Sequence, residues 1–147
     1  MRNAANPIVL LMADDDPDDR ELTKEALAES RVTNEIRFVE DGEALMDYLH
    51  RRKGYEDAPR PGLILLDLNM PKKDGREALR EIKASESLKR IPVVILTTSR
   101  AEEDMLSGYD LGAASYISKP VTFESLVELM KAIDRYWIEF VELPTGP

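Results

Sequence analysis

The chain has 147 residues, with 20 basic and 29 acidic side chains, a net charge of -9 and no cysteine. This length suits one domain that buries roughly 70% of its unfolded surface. The negative net charge disfavours binding to nucleic acid phosphates. The absence of cysteine excludes disulfides and thiolate metal sites. Because no leader-like segment and no apolar run near the roughly 18 residues of a membrane span are present, we expect a cytoplasmic protein that binds neither nucleic acid nor membrane.

Short apolar strands alternate with helices along the chain. Strands are predicted over residues 8–13, 36–39, 62–66, 92–96 and 114–118, and helices follow Asp16, Asp41 and Asp74, cover 101–111, and begin again at about Thr122. The last helix carries an apolar stripe of Leu126, Leu129, Met130, Ile133 and Trp137. Five such alternations favour a parallel sheet covered by helices on both faces. The whole chain, 1–147, is expected to be a single domain with a core over about 8–137 and a tail over 138–147.

Four of the predicted strands end in polar side chains that can take part in chemistry. The central strand stops at Asp67, the first at Asp14 and Asp15, the fourth at Thr97 and the fifth at Lys119. In an open parallel sheet, ligands collect in the crevice outside the carboxyl ends of the strands. We therefore expect one crevice that holds carboxylates, a hydroxyl and an ammonium group.

The acid-rich stretch from Asp14 to Asp19 also has a simpler interpretation. Acidic residues at the start of a helix are stabilised by the helix dipole and need no ligand. The acids and hydroxyls at the other strand ends favour a site for Asp14 and Asp15, whereas Asp18 and Asp19 are expected to remain solvated helix residues.

These residues together resemble the receiver domain of two-component response regulators, over about Ile8 to Trp137. The resemblance is carried by an acidic pair after the first strand, an aspartate after the third, a threonine after the fourth and a Lys-Pro pair after the fifth, with Met70-Pro71 and Asp74-Gly75 behind the central aspartate. It implies a flavodoxin-like, doubly wound α/β fold with a five-stranded parallel sheet in the order 2-1-3-4-5. It also implies that a histidine kinase phosphorylates Asp67.

The resemblance implies a divalent cation beside the phosphoacceptor. A carboxylate that meets an incoming dianion needs a cation to offset the charge, and Mg²⁺ suits an all-oxygen site that keeps some waters. By resemblance, Asp15 and Asp67 are ligands through their side chains and Asn69 through its backbone carbonyl, while Asp14 acts directly or through a water.

Three further residues receive roles from the resemblance. Lys119 pairs with Asp67 before the reaction and with the phosphoryl group afterwards, and a cis peptide bond between Lys119 and Pro120 is expected to aim it inward. Thr97 donates its hydroxyl to a phosphoryl oxygen. Tyr116 matches the family's switch aromatic, whose inward rotamer accompanies movement of the threonine.

Other function classes compete with a stand-alone phosphoacceptor. A phosphorelay shuttle to a histidine phosphotransfer protein would use the same site. A Mg²⁺-dependent phosphatase of the haloacid dehalogenase type also uses an aspartate nucleophile, but it requires a second aspartate where Asn69 stands. A binding module with a degenerate site is disfavoured because the whole residue set is present. We expect no enzymatic activity beyond the protein's own phosphorylation and dephosphorylation.

A narrower resemblance concerns the small response regulators of bacterial phytochromes. The long connection from Arg51 to Pro61 and the ending over residues 136–144 carry it. It implies a bacterial phytochrome as the kinase partner. The apolar residues of the tail predict a homodimer formed through the last helix and the tail, the alternative being a tail that folds over its own sheet edge.

Overall fold

The computed structural model describes residues 8–97, 111–120 and 122–136. Five strands and four helices lie within these ranges. In chain order they are β1 Leu10–Ala13, α1 Pro17–Glu29, β2 Ile36–Val39, α2 Gly42–Leu49, β3 Leu63–Leu66, α3 Gly75–Ala84, β4 Val93–Thr97, β5 Ser115–Ser118 and α4 Phe123–Ile133.

The strands form one parallel sheet in the order β2-β1-β3-β4-β5, which confirms the predicted fold class and strand order. The strand β3 lies in the middle, and β1 and β4 pair with it on either side. Because Ala13 pairs with Leu66, the residues that follow β1 and β3 emerge side by side. The sheet therefore delivers Asp14 and Asp67 to the same place.

Alternating residues of the strands feed two separate hydrophobic cores. On β3, Ile64 and Leu66 pack on the side of α2 and α3, whereas Leu63 and Leu65 pack on the side of α1 and α4. This is the period of two that a strand buried on both faces requires. Helices thus cover both faces of the sheet, as predicted.

The helix starts follow the capping residues identified in the sequence. Asp16 caps α1 by accepting a hydrogen bond from the backbone N–H of Asp18 at 2.9 Å. Asp41, Asp74 and Thr122 cap α2, α3 and α4 in the same way. Each cap satisfies a backbone donor that has no partner within the helix, so these four residues set where each helix leaves the carboxyl edge of the sheet.

The connection over 51–61 is long, and its chain is anchored to α2. The hydroxyl of Tyr48 donates to the carbonyl oxygen of Pro59 at 2.8 Å. The ring centroids of Tyr48 and Tyr55 are 5.4 Å apart. Arg51, Lys53 and Gly54 adopt left-handed backbone conformations that let the chain turn away from the helix. The loop thus packs on the fold as an ordered insertion before β3.

The buried stripe of the last helix differs from the predicted one. In α4 the fully buried residues are Val127, Met130 and Ile133, whereas Leu126 and Leu129 are half-buried, so the buried stripe is shifted from the predicted one. The predicted helix over 101–111, Trp137 and the tail lie outside the described residues. None of the helices described is long and apolar enough to cross a membrane.

Candidate functional site

Three carboxylates meet at the carboxyl edge of the sheet. Asp14 directly follows β1, and Asp67 directly follows β3 and donates its backbone N–H to the carbonyl of Ala13 at 3.0 Å. One carboxylate oxygen from each of Asp14, Asp15 and Asp67 lies within 4.8 Å of the others. Asp14 is fully buried and Asp67 is buried, while Asp15 is exposed. The cluster therefore has an inner floor and an open side.

The ammonium group of Lys119 lies against this cluster. Its Nζ donates to Asp14 Oδ2 at 2.8 Å and to Asp67 Oδ2 at 3.1 Å. A third bond, at 2.7 Å, goes to Asp19 Oδ2 on α1. Only 13% of the lysine side chain is exposed. An ammonium group has three N–H donors, so each one has a carboxylate partner.

Backbone N–H groups hold the two inner carboxylates in orientation. Asp14 Oδ1 accepts from the N–H of Asp16 at 2.9 Å, and Asp67 Oδ1 accepts from the N–H of Asn69 at 3.0 Å. In addition, Arg20 Nη1 donates to the backbone carbonyl of Asp14 at 2.7 Å. After each strand, a backbone N–H two residues further along the chain thus bonds the aspartate carboxylate and fixes its orientation without a ligand.

Burial and ion pairing act in opposite directions on the pKa values of Asp14 and Lys119. Burial raises the pKa of Asp14 to about 6, although hydrogen bonds from Lys119 and from the N–H of Asp16 act to lower it. Burial acts to lower the pKa of Lys119, but its hydrogen bonds to Asp14 and Asp19 and the charge of Asp67 outweigh burial, so that its pKa is raised. One ammonium group does not offset all the carboxylates, which is the setting that a bound cation would relieve.

The donor set fits a hard divalent cation. Magnesium takes oxygen ligands at about 2.0–2.1 Å in an octahedron and retains waters, and the three converging carboxylates would supply oxygen ligands of this kind. Asp15 is exposed, so this side of the cluster is accessible from solvent. Asn69 is exposed at the start of the loop after β3, and its carbonyl remains a predicted ligand.

The fourth and fifth strands bring the remaining predicted residues to the same edge. Thr97 ends β4 and pairs in register with Ser118, the residue before Lys119. Tyr116 is 9% exposed and belongs to the core on the side of α2 and α3. Tyr116 is therefore largely buried, and the switching role of Thr97 and Tyr116 stays a prediction.

Two sequence predictions are wrong. No cis peptide bond occurs in the described chain, so the bond between Lys119 and Pro120 is trans. Trans is the intrinsically favoured isomer by roughly 0.5–1 kcal/mol, and with this isomer the long lysine side chain reaches all three carboxylates.

Asp19 is not a merely solvated residue, because its carboxylate is 34% exposed and bonds Lys119. Its position in the first turn of α1, just after the acidic pair, is the signal that could have indicated a place at the same crevice.

The fold and this site define a response regulator, and the chain belongs to the receiver domain family: residues 10–131 match the response regulator receiver domain. Response regulator Rcp1 of Synechocystis sp. is 45% identical over 140 residues, which cover 95% of each chain. The probable methanogenesis regulatory protein FilR2 of Methanothrix harundinacea is 38% identical over 98% of this chain and 92% of its own.

Solved structures agree with this assignment. The phosphorylated cyanobacterial phytochrome response regulator RcpA has a TM-score of 0.88 and 45% identity, over 94% of this chain and 99% of its own. The Mn²⁺-bound form of Rcp1 has a TM-score of 0.86 with the same identity and coverage. Both the receiver resemblance and the narrower resemblance to phytochrome response regulators are thus confirmed.

Proposed function

We propose that Asp67 accepts a phosphoryl group from a histidine kinase in a Mg²⁺-dependent reaction. The observation that carries the proposal is the position of Asp67 Oδ2, which bonds Lys119 at 3.1 Å while an oxygen of the same carboxylate group converges with Asp14 and Asp15. The protein receives phosphoryl groups and hydrolyses its own phosphate, and it turns over no separate substrate.

The transfer needs a free carboxylate oxygen on Asp67 and compensation for charge. An Asp67 oxygen attacks the phosphorus of the kinase phosphohistidine, the P–N bond breaks, and the leaving imidazole takes up a proton. Lys119 turns one N–H from the Asp67 carboxylate to a phosphoryl oxygen, a move that its flexible stem allows. Bound at Asp14, Asp15, Asp67 and the Asn69 carbonyl, Mg²⁺ would supply charge compensation to the phosphoryl oxygens.

A phosphorylation experiment tests the acceptor. Incubation with acetyl phosphate and Mg²⁺ is expected to add the mass of one phosphoryl group to the wild type and none to Asp67→Asn. Asp57→Asn is the matched control, because Asp57 is an exposed acid in the loop before β3. Labelling of Asp67→Asn to the wild-type extent, or of the wild type without divalent cation, would contradict the proposal.

We propose that phosphorylation changes the surface through Thr97 and Tyr116. Tyr116 lies in β5 next to β4 and is paired with Ile95, two residues before Thr97. We expect the Thr97 hydroxyl to move toward a new phosphate and the Tyr116 rotamer to change with it, so that a local charge change becomes a packing change. Thr97→Ala is expected to be phosphorylated on Asp67 but to lose the difference in partner binding between its two states; an unchanged difference would refute this role.

We propose a bacterial phytochrome as the kinase. The support is the similarity to Rcp1 and to RcpA, a phytochrome response regulator. Purified phytochrome kinase carrying labelled phosphohistidine is expected to transfer label to wild-type protein and not to Asp67→Asn, with transfer that differs between red and far-red light. Equal transfer under both illuminations would contradict a light-regulated pairing.

We further propose that the protein acts as a cytoplasmic, single-domain homodimer that binds neither nucleic acid nor membrane. Rcp1 supports the single domain because the match covers 95% of both chains. Exposed Tyr136 and the apolar residues that follow it in the sequence support a dimer through α4 and the tail. Light scattering should find a dimer for the full chain and a monomer after truncation at Arg135; a monomeric full chain, phosphorylated or not, would contradict it.

A further inference from the structure

Lys119 contacts three carboxylates, but only two of them belong to the cation cluster. Its bonds to Asp14 and Asp67 go to side chains whose oxygens converge with Asp15. Its bond to Asp19, at 2.7 Å, goes to a carboxylate outside that convergent group. Asp19 makes no other ion pair within the described part of the chain. Among the described residues, the Asp19 carboxylate therefore forms its ion pair with Lys119 alone.

The ammonium group of Lys119 already bonds both carboxylates that a cation would share with it. In Asp14 and in Asp67, one oxygen accepts a backbone N–H and the other accepts the ammonium of Lys119. Lone pairs remain on both oxygens, so a cation can bind these side chains beside the ammonium, but the two positive charges then lie close together. Like charges repel most strongly where water is scarce, and both carboxylates are buried. The ammonium group and the cation thus compete for the same two side chains.

We propose that Asp19 is a positioning residue that draws Lys119 toward α1 and lowers this competition, an inference that rests on the proposed Mg²⁺-dependent phosphorylation. When the cation takes Asp14 and Asp67, the bond to Asp19 keeps the ammonium at the edge of the pocket. There it remains within reach of a phosphoryl group on Asp67. Asp19 needs no contact with the cation to act.

A neighbouring acid on the same helix separates this role from a simple effect of charge. Asp18 precedes Asp19 in the first turn of α1, is exposed, and makes no ion pair in the part of the chain that the structure describes. Replacing either residue by asparagine removes one negative charge near the pocket and so weakens cation binding somewhat. Only the replacement of Asp19 also returns the ammonium wholly to Asp14 and Asp67.

The test is a double-mutant cycle on Mg²⁺ binding, measured by calorimetric titration of the full chain without a phosphoryl donor. In the chain that keeps Lys119, Asp19→Asn is expected to raise the Kd for Mg²⁺ roughly two- to tenfold, a coupling ordinary for groups in contact. In a Lys119→Ala background the same change is expected to have no more effect than Asp18→Asn. Circular dichroism checks that each variant is folded. If Lys119→Ala does not fold, Lys119→Gln takes its place as the background.

An equal effect of Asp19→Asn in both backgrounds would overturn the inference, because the residue would then act by charge alone. Unchanged or tighter Mg²⁺ binding by Asp19→Asn would overturn it as well. Its failure is distinguishable from failure of the proposed function. A wild type that binds Mg²⁺ and is phosphorylated on Asp67, yet shows no coupling, refutes only the role of Asp19; a wild type that binds no Mg²⁺ refutes both.

Discussion

Replacement of Gly75 by alanine should destabilise the fold and distort the loop that carries the phosphoacceptor. Gly75 is the first residue of α3, and its N–H donates to the carbonyl of Leu68 at 3.0 Å. A Cβ built there would lie 2.5 Å from the backbone oxygen of Asp67 and 2.7 Å from Cα of Leu68. Ordinary contact begins at 3.4 Å, so backbone atoms must move by nearly an ångström.

Two opposing effects set the size of this destabilisation. Alanine is preferred over glycine in a helix interior by about 1 kcal/mol, whereas added volume in a tightly packed place costs about 1–3 kcal/mol. The backbone of Asp67 and Leu68 cannot rotate away as a flexible side chain can, so the steric cost should dominate. Because the contact at 2.5 Å is with backbone, we expect a steric cost in the upper part of this range, about 2–3 kcal/mol. The free energy of unfolding should then fall by about 1–2 kcal/mol, and Mg²⁺ binding should weaken because Asp67 is displaced.

Urea unfolding followed by circular dichroism measures the first effect. A matched pair at exposed Arg80, in the middle of the same helix, gives the reference: Arg80→Ala should be more stable than Arg80→Gly by about 1 kcal/mol. At position 75 the sign should reverse, with glycine the more stable. A Gly75→Ala protein that unfolds at the wild-type urea concentration or above would refute the argument from close packing.

Three further predictions concern the loop, the core and the site. Tyr48→Phe removes the hydroxyl that bonds the Pro59 carbonyl and should lower the free energy of unfolding by about 1 kcal/mol in urea titrations; an unchanged urea midpoint would contradict the anchoring of the loop. Asn34 is buried and its amide donates to the carbonyl of Ile8 at 2.9 Å, so Asn34→Asp, which puts an acceptor against an acceptor, should cost about 1–3 kcal/mol at neutral pH and less in acid. Burial raises the pKa of Asp14 in the folded state from 3.8 to about 6. Between pH 3.8 and about 6 the folded, metal-free protein therefore binds more protons than the unfolded chain, so its free energy of unfolding should fall as the pH rises through this range. Asp14→Asn should lack this fall.

Local patterns in the sequence were sufficient for the strands and for most of the site. The run that ends at Asp67 is apolar at every position because β3 is buried on both faces, and such a run is visible without any knowledge of its neighbours. Since parallel strands present their carboxyl ends at one edge, the residues after each strand could be assigned to one crevice. Asp14, Asp15, Asp67 and Lys119 do meet there.

Within the described residues, sequence alone determined which strands and helices form and which polar groups lie at their ends, because hydrophobic period, capping residues and turn residues act over a few positions. Only the tertiary structure decided which distant groups touch. Asp19 reaches Lys119 across 100 positions of the chain, and Tyr48 reaches Pro59 across a loop. These contacts arise from the packing of α1 against α4 and of the loop on α2, and packing depends on the shapes of whole faces, which no local pattern encodes.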